Sequence, residues 1–83
     1  MEIKLFGADG CPVCRQLEQT VFDVLAEMGV AAAVNKVTDP GERLQYEVYR
    51  LPGLMIDGEL KASGRVPARH ELMNWVKERS AKS

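Results

Sequence analysis

Cys11-Pro12-Val13-Cys14 is the stretch on which the reading of this chain turns. These are its only two cysteines, and they stand where an apolar opening segment gives way to a long helical pattern. A spacing of three brings both sulfurs to one side of a helix's first turn. There they are close enough to form a disulfide with each other or to share a soft metal ion.

Upstream, Met1 to Phe6 alternates as a short strand with Ile3 and Leu5 on one face. Lys4 points to the other face, where its stem lies along the sheet and its ammonium reaches water. Downstream, Cys14, Leu17, Val21, Val24, Leu25 and Met28 recur at spacings of three and four, the stripe of an amphipathic helix. Pro12 suits the first helical position, where no amide donor is needed, and Gly29 suits the stop. Ala31 to Val37 is read as a strand, from its place between two well-marked helices. Asp39-Pro40-Gly41-Glu42 opens the second helix with a cap, an N1 proline and an acid at N3, and Leu44 and Val48 continue an apolar face. Leu54-Met55-Ile56 is a compact buried strand, and Asp57-Gly58 is a hairpin turn into Leu60 to Ser63. Pro67 starts a last helix with Leu72, Trp75 and Val76 inward.

The order is βαβαββα, an α/β fold. Its opening β-α-β unit predicts parallel strands joined by a right-handed crossover. The hairpin adds two antiparallel strands, giving a mixed four-stranded sheet with helices on both faces. No linker, repeat or low-complexity stretch divides the sequence, so residues 1–83 read as one domain. Sheets of this kind react at the carboxyl ends of their parallel strands, and Cys11 lies just past the first of these.

The chain has 83 residues, 46% hydrophobic and 28% charged, with a formal net charge of −1. That balance points to a soluble globular protein and away from a nucleic-acid partner. The longest apolar runs, such as Val30 to Val34, are far too short to span a bilayer, so no membrane partner is expected. Glu2 and Lys4 interrupt any secretory leader, so the expected location is the cytoplasm, where a reactive or metal-binding pair is favoured over a structural disulfide.

Pro12 at N1 places Cys11 at the N-cap, where a thiolate accepts hydrogen bonds from the unpaired amides of the first turn. The helix dipole adds about half a positive charge there. Both favour the thiolate. Cys11 would then attack a substrate disulfide, and Cys14, one turn deeper, would resolve the mixed disulfide by attacking Cys11. Asp9 opposes the thiolate and Arg15 supports it.

Several segments together carry a family resemblance: Gly10-Cys11-Pro12-Val13-Cys14, Lys36-Val37-Thr38-Asp39, Leu51 to Gly58, and Ser63-Gly64-Arg65-Val66-Pro67. From Ile3 to about Val76 the chain resembles the thioredoxin-like superfamily, most closely its small glutaredoxin-like, redox-active disulfide branch. The resemblance implies a thiol–disulfide oxidoreductase, a dithiol electron carrier without a cofactor. It implies that Cys11 and Cys14 are catalytic and that Pro52 follows a cis peptide bond opposite them. Pro12, Val13, Leu51, Pro52, Gly64 and Arg65 would border the substrate groove. The implied partners are protein disulfides and an unidentified reductase; a monomer is expected, and the expected compartment, which keeps such pairs reduced, favours the reducing direction. Four departures from the family pattern stand out, the first being that the opening strand lacks the buried acid that assists proton transfer in larger thioredoxins, with the loop residue Asp9 the only candidate nearby. Leu51 is bulkier than the usual Thr or Val before the cis-proline. Ala68 replaces a capping Ser. The acidic cluster with which ordinary glutaredoxins bind glutathione is missing after Gly64.

The competing reading is a soft-metal carrier, in which the same two thiolates hold Cu(I) or zinc. Such carriers run βαββαβ and finish on a strand, whereas this chain finishes on the Trp75 helix. A structural zinc site wants four ligands, and the chain offers two cysteines and a distant His70, read as solvated, so no metal site is expected. Met28, Met55 and Trp75 are read as core.

Overall fold

The computed structural model describes residues 1–81. Its elements are β1 (Glu2–Phe6), α1 (Pro12–Met28), β2 (Ala33–Val37), α2 (Pro40–Gln45), β3 (Gly53–Ile56), β4 (Glu59–Ser63) and α3 (Arg69–Ala81). The strands lie in the order β2-β1-β3-β4. β1 is parallel to β2 and antiparallel to β3, and β3 is antiparallel to β4. The expected mixed sheet is therefore present, with β1 and β3 in its centre.

Alternation along the strands divides the core into two layers. Ile3 and Leu5 of β1, Leu54 and Ile56 of β3 and Ala62 of β4 face one side. There they meet Leu17, Val21, Val24 and Leu25 of α1 and Leu72 and Val76 of α3. Met28 and Trp75 pack against the same cluster. On the other side Phe6, Val37 and Met55 are covered by Val48, with Leu51 against them. The ring of Tyr46 meets Phe6 edge-on at 5.7 Å between centroids. Lys4 belongs to this second face. Its stem lies on the sheet as expected, and its ammonium pairs with the Glu2 carboxylate and sits 5.3 Å from the centre of the Tyr46 ring. The Glu2 carboxylate raises the Lys4 pKa above the usual lysine range.

Three boundaries differ from the sequence reading by more than one residue. β2 begins at Ala33, the residue level with Glu2 at the start of β1, so Ala31 and Ala32 have no strand to pair with there. α2 is only 6 residues long and buries none of them; Leu44 is 52% exposed. Val48 reaches the core by another route. Glu47 turns the chain with φ of 60°, and the Val48 amide donates back to the Arg43 carbonyl at 3.3 Å. α3 starts at Arg69, with Pro67 buried just outside it. In place of a serine's bond to the first-turn amides, the helix start carries the reciprocal half of a capping box: the Glu71 carboxylate accepts the Ala68 amide at 3.0 Å.

The hairpin turn is as expected: Asp57 and Gly58 have φ of 47° and 83°, the two positive values that a type I′ turn requires. Asp57 also ties three segments together. Its carboxylate accepts the Glu2 amide at 2.7 Å and the Arg79 guanidinium at 2.7 Å. These bonds, the Glu2 amide first, hold its carboxyl below the ordinary aspartate range. Among the described residues no helix is long and apolar enough to cross a membrane.

Candidate active site

α1 begins where the sequence places it. Cys11 is the N-cap, in extended conformation with φ −95° and ψ 105°, and Pro12 opens the helix. The Cys11 Sγ accepts a hydrogen bond from the Cys14 amide at 3.2 Å, and the Arg15 amide donates to the Cys11 carbonyl at 3.2 Å. An oxygen side chain does the same at an ordinary N-cap; here sulfur takes its place. No acidic residue lies in the first turn, so nothing there opposes the positive end of a 17-residue helix.

Cys11 and Cys14 are joined by a disulfide, with 5.3 Å between their Cα atoms. Both cysteines are half-buried, while Pro12 and Val13 between them are exposed, Val13 at 45%. The bond is thus reachable from solvent on a ridge with an apolar crest. Behind Cys14 the backbone just past the end of β1 runs very close: a Cβ on Gly7 would lie 3.1 Å from the Cys14 Cβ and 3.4 Å from its sulfur. Only glycine leaves this space free.

Strand register brings the second group of residues to the same end of the sheet. Phe6 pairs with Gly53, and Gly53 with Ser63, so the loop after β1, the segment before β3 and the end of β4 lie level. The Leu51–Pro52 bond is cis. Pro52 is buried, and its carbonyl accepts the Gly64 amide at 2.8 Å. The Ser63 hydroxyl donates to the Arg50 carbonyl at 3.3 Å, a second tie between the two segments. Gly64, at φ 79°, lies directly under the Arg50 stem.

Of the groove residues expected from sequence, Pro12 and Val13 stand beside the cysteines, and Leu51, Pro52 and Gly64 line up at that sheet end. Arg65 follows Gly64, but its guanidinium is engaged elsewhere. Both of its terminal nitrogens donate to Glu71, each at 3.1 Å. Pairing with Arg65, and then the bond from the Ala68 amide, lowers the Glu71 pKa below the usual glutamate range.

A cavity of about 130 Å³ opens between α1 and the carboxyl ends of β1 and β2, with Gly7, Cys14, Leu17, Glu18, Lys36 and Thr38 on its walls. Glu18 and Lys36 close an ion pair at 3.2 Å on it. Sequence reasoning missed this pair. The available signal was the spacing of four from Cys14 to Glu18, combined with Lys36 lying on the α1 side of a strand parallel to β1. Among the described residues no group of three or more His, Cys, Asp or Glu side chains gathers as a metal site would require, and His70 is exposed on α3.

The arrangement supports two-electron exchange between a dithiol and a disulfide, with one sulfur at a helix N-terminus and its partner one turn on. Comparison with known proteins agrees. Residues 1–77 match the family model described as a thioredoxin domain. A thioredoxin of Methanothermobacter thermautotrophicus is 36% identical over 72 residues, which cover 87% of this chain and 92% of that protein. A thioredoxin of Methanocaldococcus jannaschii is 33% identical over 75 residues, covering 90% and 85%. In fold, the chain is similar to the solved structure of thioredoxin 1 from Thermosipho africanus, with a TM-score of 0.70 at 21% identity, covering 98% of this chain and 96% of that one.

Proposed function

The chain belongs to the thioredoxin domain family and is a dithiol thiol–disulfide oxidoreductase, and we propose that in this chemistry Cys11 attacks and Cys14 resolves. The observation that carries the assignment is the hydrogen bond from the Cys14 amide to the Cys11 Sγ at the N-cap. In the reduced protein that donor and the helix dipole both act on Cys11, which favours its thiolate. Cys14 sits one turn in, bonded to the Cys11 sulfur and on the wall of the cavity between α1 and β2.

The reduction cycle then balances as follows. The Cys11 thiolate attacks one sulfur of a substrate disulfide, and the other substrate sulfur leaves with the electron pair and takes up a proton. Cys14 loses its proton and attacks the Cys11 sulfur, the bond from Cys11 to substrate breaks, and a second substrate thiol is released. The protein is left with the Cys11–Cys14 disulfide and must be recharged by a reductase. The substrate is an extended segment of a protein disulfide. It lies over Pro12 and Val13 and along Leu51 and Pro52, with Gly64 bordering the groove. Arg65 borders it by position rather than by charge, since its guanidinium is held by Glu71. Work in the reducing direction, in the cytoplasm and as a monomer, fits this reading.

The soft-metal alternative is less favoured, because the strand order and the final helix α3 differ from a βαββαβ carrier. Reduction of insulin disulfides with dithiothreitol as the reductant tests the assignment. Cys11→Ser abolishes turnover, and Cys14→Ser stops after one event with substrate bound to Cys11 as a mixed disulfide, detectable by mass. Turnover that survives in Cys14→Ser, or trapping on Cys14 in Cys11→Ser, would reverse or remove the proposed roles.

A further inference from the structure

We propose that Arg50 is a specificity residue, selecting protein disulfides that carry an acidic side chain about two to four residues from the reacting cystine. This deepens the reading above, since it rests on the groove along Leu51, Pro52 and Gly64. Arg50 immediately precedes Leu51, and the Pro52 carbonyl and Gly64 amide are tied at 2.8 Å beside it.

The Arg50 side chain is held as an arm along this edge. A Cβ on Gly64 would lie 3.1 Å from the Arg50 Cβ and 3.2 Å from its Cδ, so the stem rests on bare glycine backbone. The Arg50 carbonyl accepts the Ser63 hydroxyl at 3.3 Å, which fixes the root of the arm to the end of β4. Arg50 is exposed, and among the described residues no carboxylate pairs with its guanidinium, Glu47 three residues back included. Arg65, in the same loop as Gly64, is already satisfied: both its terminal nitrogens go to Glu71, which also accepts the Ala68 amide. A guanidinium on an anchored stem is a planar fork ready for a carboxylate, and closing on one costs it little further freedom.

Sheet register sets the distance from this arm to the cysteines. Gly7 lies against Cys14, the preceding Phe6 pairs with Gly53, and Gly53 pairs with Ser63. The Gly64 end of β4 is therefore two strand spacings from the cysteine end of β1, roughly 10 Å. Extended chain covers that span in about three residues at ~3.3–3.6 Å each, which sets where the substrate's acid must stand. Arg15, beside Cys14, also lacks a carboxylate partner, but it belongs to the other flank. It lines the cavity between α1 and β2, across β1 from the groove, and Asp9 lines the same cavity.

The test uses the reduced protein and synthetic peptides that each carry one internal disulfide. One peptide has Asp at the positions two to four residues before its first cysteine, one has Asp two to four residues after its second, and a reference has Asn at all of them. Acid quenching and chromatography give the second-order rate constant for reduction of each. At least one acidic peptide should react about threefold or more faster than the Asn peptide at ~20 mM salt, the scale of an exposed, well-oriented ion pair. That ratio should shrink towards one at about 0.5 M salt. In Arg50→Met, which keeps a stem on Gly64, the ratio should fall to within about 1.5-fold of one, and Arg50→Lys, which keeps the charge, should lie between. Each ratio compares peptides on one protein, so a general loss of stability or activity cancels from it. Arg15→Met should retain the wild-type ratio. Equal rates for acidic and Asn peptides in wild type, a preference that survives in Arg50→Met, or one lost in Arg15→Met instead would overturn the role of Arg50 alone. Reduction of none of the peptides would overturn the groove for extended segments and the proposal together.

Discussion

Replacing Gly53 with alanine probes how tightly the site end of the sheet is packed. Gly53 opens β3 directly after Pro52 and pairs with Phe6 on one side and Ser63 on the other. A Cβ there would lie 2.9 Å from the Val48 Cγ1, 3.2 Å from the Phe6 Cβ and 3.4 Å from its Cδ2. Neither neighbour has room to yield, since Phe6 is 1% and Val48 0% exposed. Overpacking of this kind costs roughly 1–3 kcal/mol, which in a domain of this size is a fall in Tm of roughly 5–20 °C. Gly41 supplies the contrast. Its added Cβ would meet nothing nearer than the Asp39 Oδ1 at 3.6 Å, so Gly41→Ala should be neutral or stabilising by up to about 1 kcal/mol. Urea and thermal unfolding of the oxidised protein measure both. A double variant isolates the cause. Val48→Ala removes the atom at 2.9 Å, so Gly53→Ala should cost about 1 kcal/mol less in that background than alone. Strict additivity, or a Gly53→Ala protein as stable as wild type, would refute the packing argument.

Leu17, fully buried between α1 and the sheet, should lose roughly 2–5 kcal/mol as Leu17→Ala, whereas the half-exposed Leu44 should change by no more than about 0.5 kcal/mol as Leu44→Ala; urea midpoints that ranked the two equally would contradict the placement of α2. Asp57 and Glu71 have carboxyl groups held below their ordinary range, so their contribution is complete above about pH 4–5 and is lost as the pH falls through their lowered folded-state values. Asp57→Asn with Glu71→Gln, which keep the turn and the capping geometry, should flatten the decline of Tm on acidification at low salt, and an unchanged acid slope would count against these ties.

The parts of the fold that could be read from sequence are those whose signal is local. The stripe from Leu17 to Met28, Pro12 and Gly29 define α1 without reference to anything else in the chain, and Asp57-Gly58 defines its own turn. α2 was misjudged because Leu44 and Val48 have helical spacing. The turn between them depends on Glu47 taking a positive φ, which its residue type does not announce. The start of α3 lies two residues later than expected because Pro67, which suits a first helical position, is buried outside the helix, and Glu71 accepts the Ala68 amide to mark the start instead. At the site, Cys11 and Cys14 are legible because their chemistry depends on adjacent backbone. The cis bond before Pro52 came from family resemblance, since nothing local distinguishes Leu51–Pro52 from an ordinary proline at the start of a strand. Glu18 and Lys36 meet only because β2 lies parallel to β1, a tertiary fact. Arg65 was expected at the groove; it follows Gly64 in the loop after β4, and its charge is taken by a partner six residues on.

The central claim is that the helix start makes Cys11 the nucleophilic sulfur. Alkylation of the fully reduced protein with iodoacetamide as a function of pH, with each site located by peptide mass, measures that directly. Cys11 should be modified first, with a rate midpoint below the ~8.5 of an unperturbed thiol. Equal modification of the two cysteines with a midpoint at or above that value, or modification of Cys14 first, would contradict it.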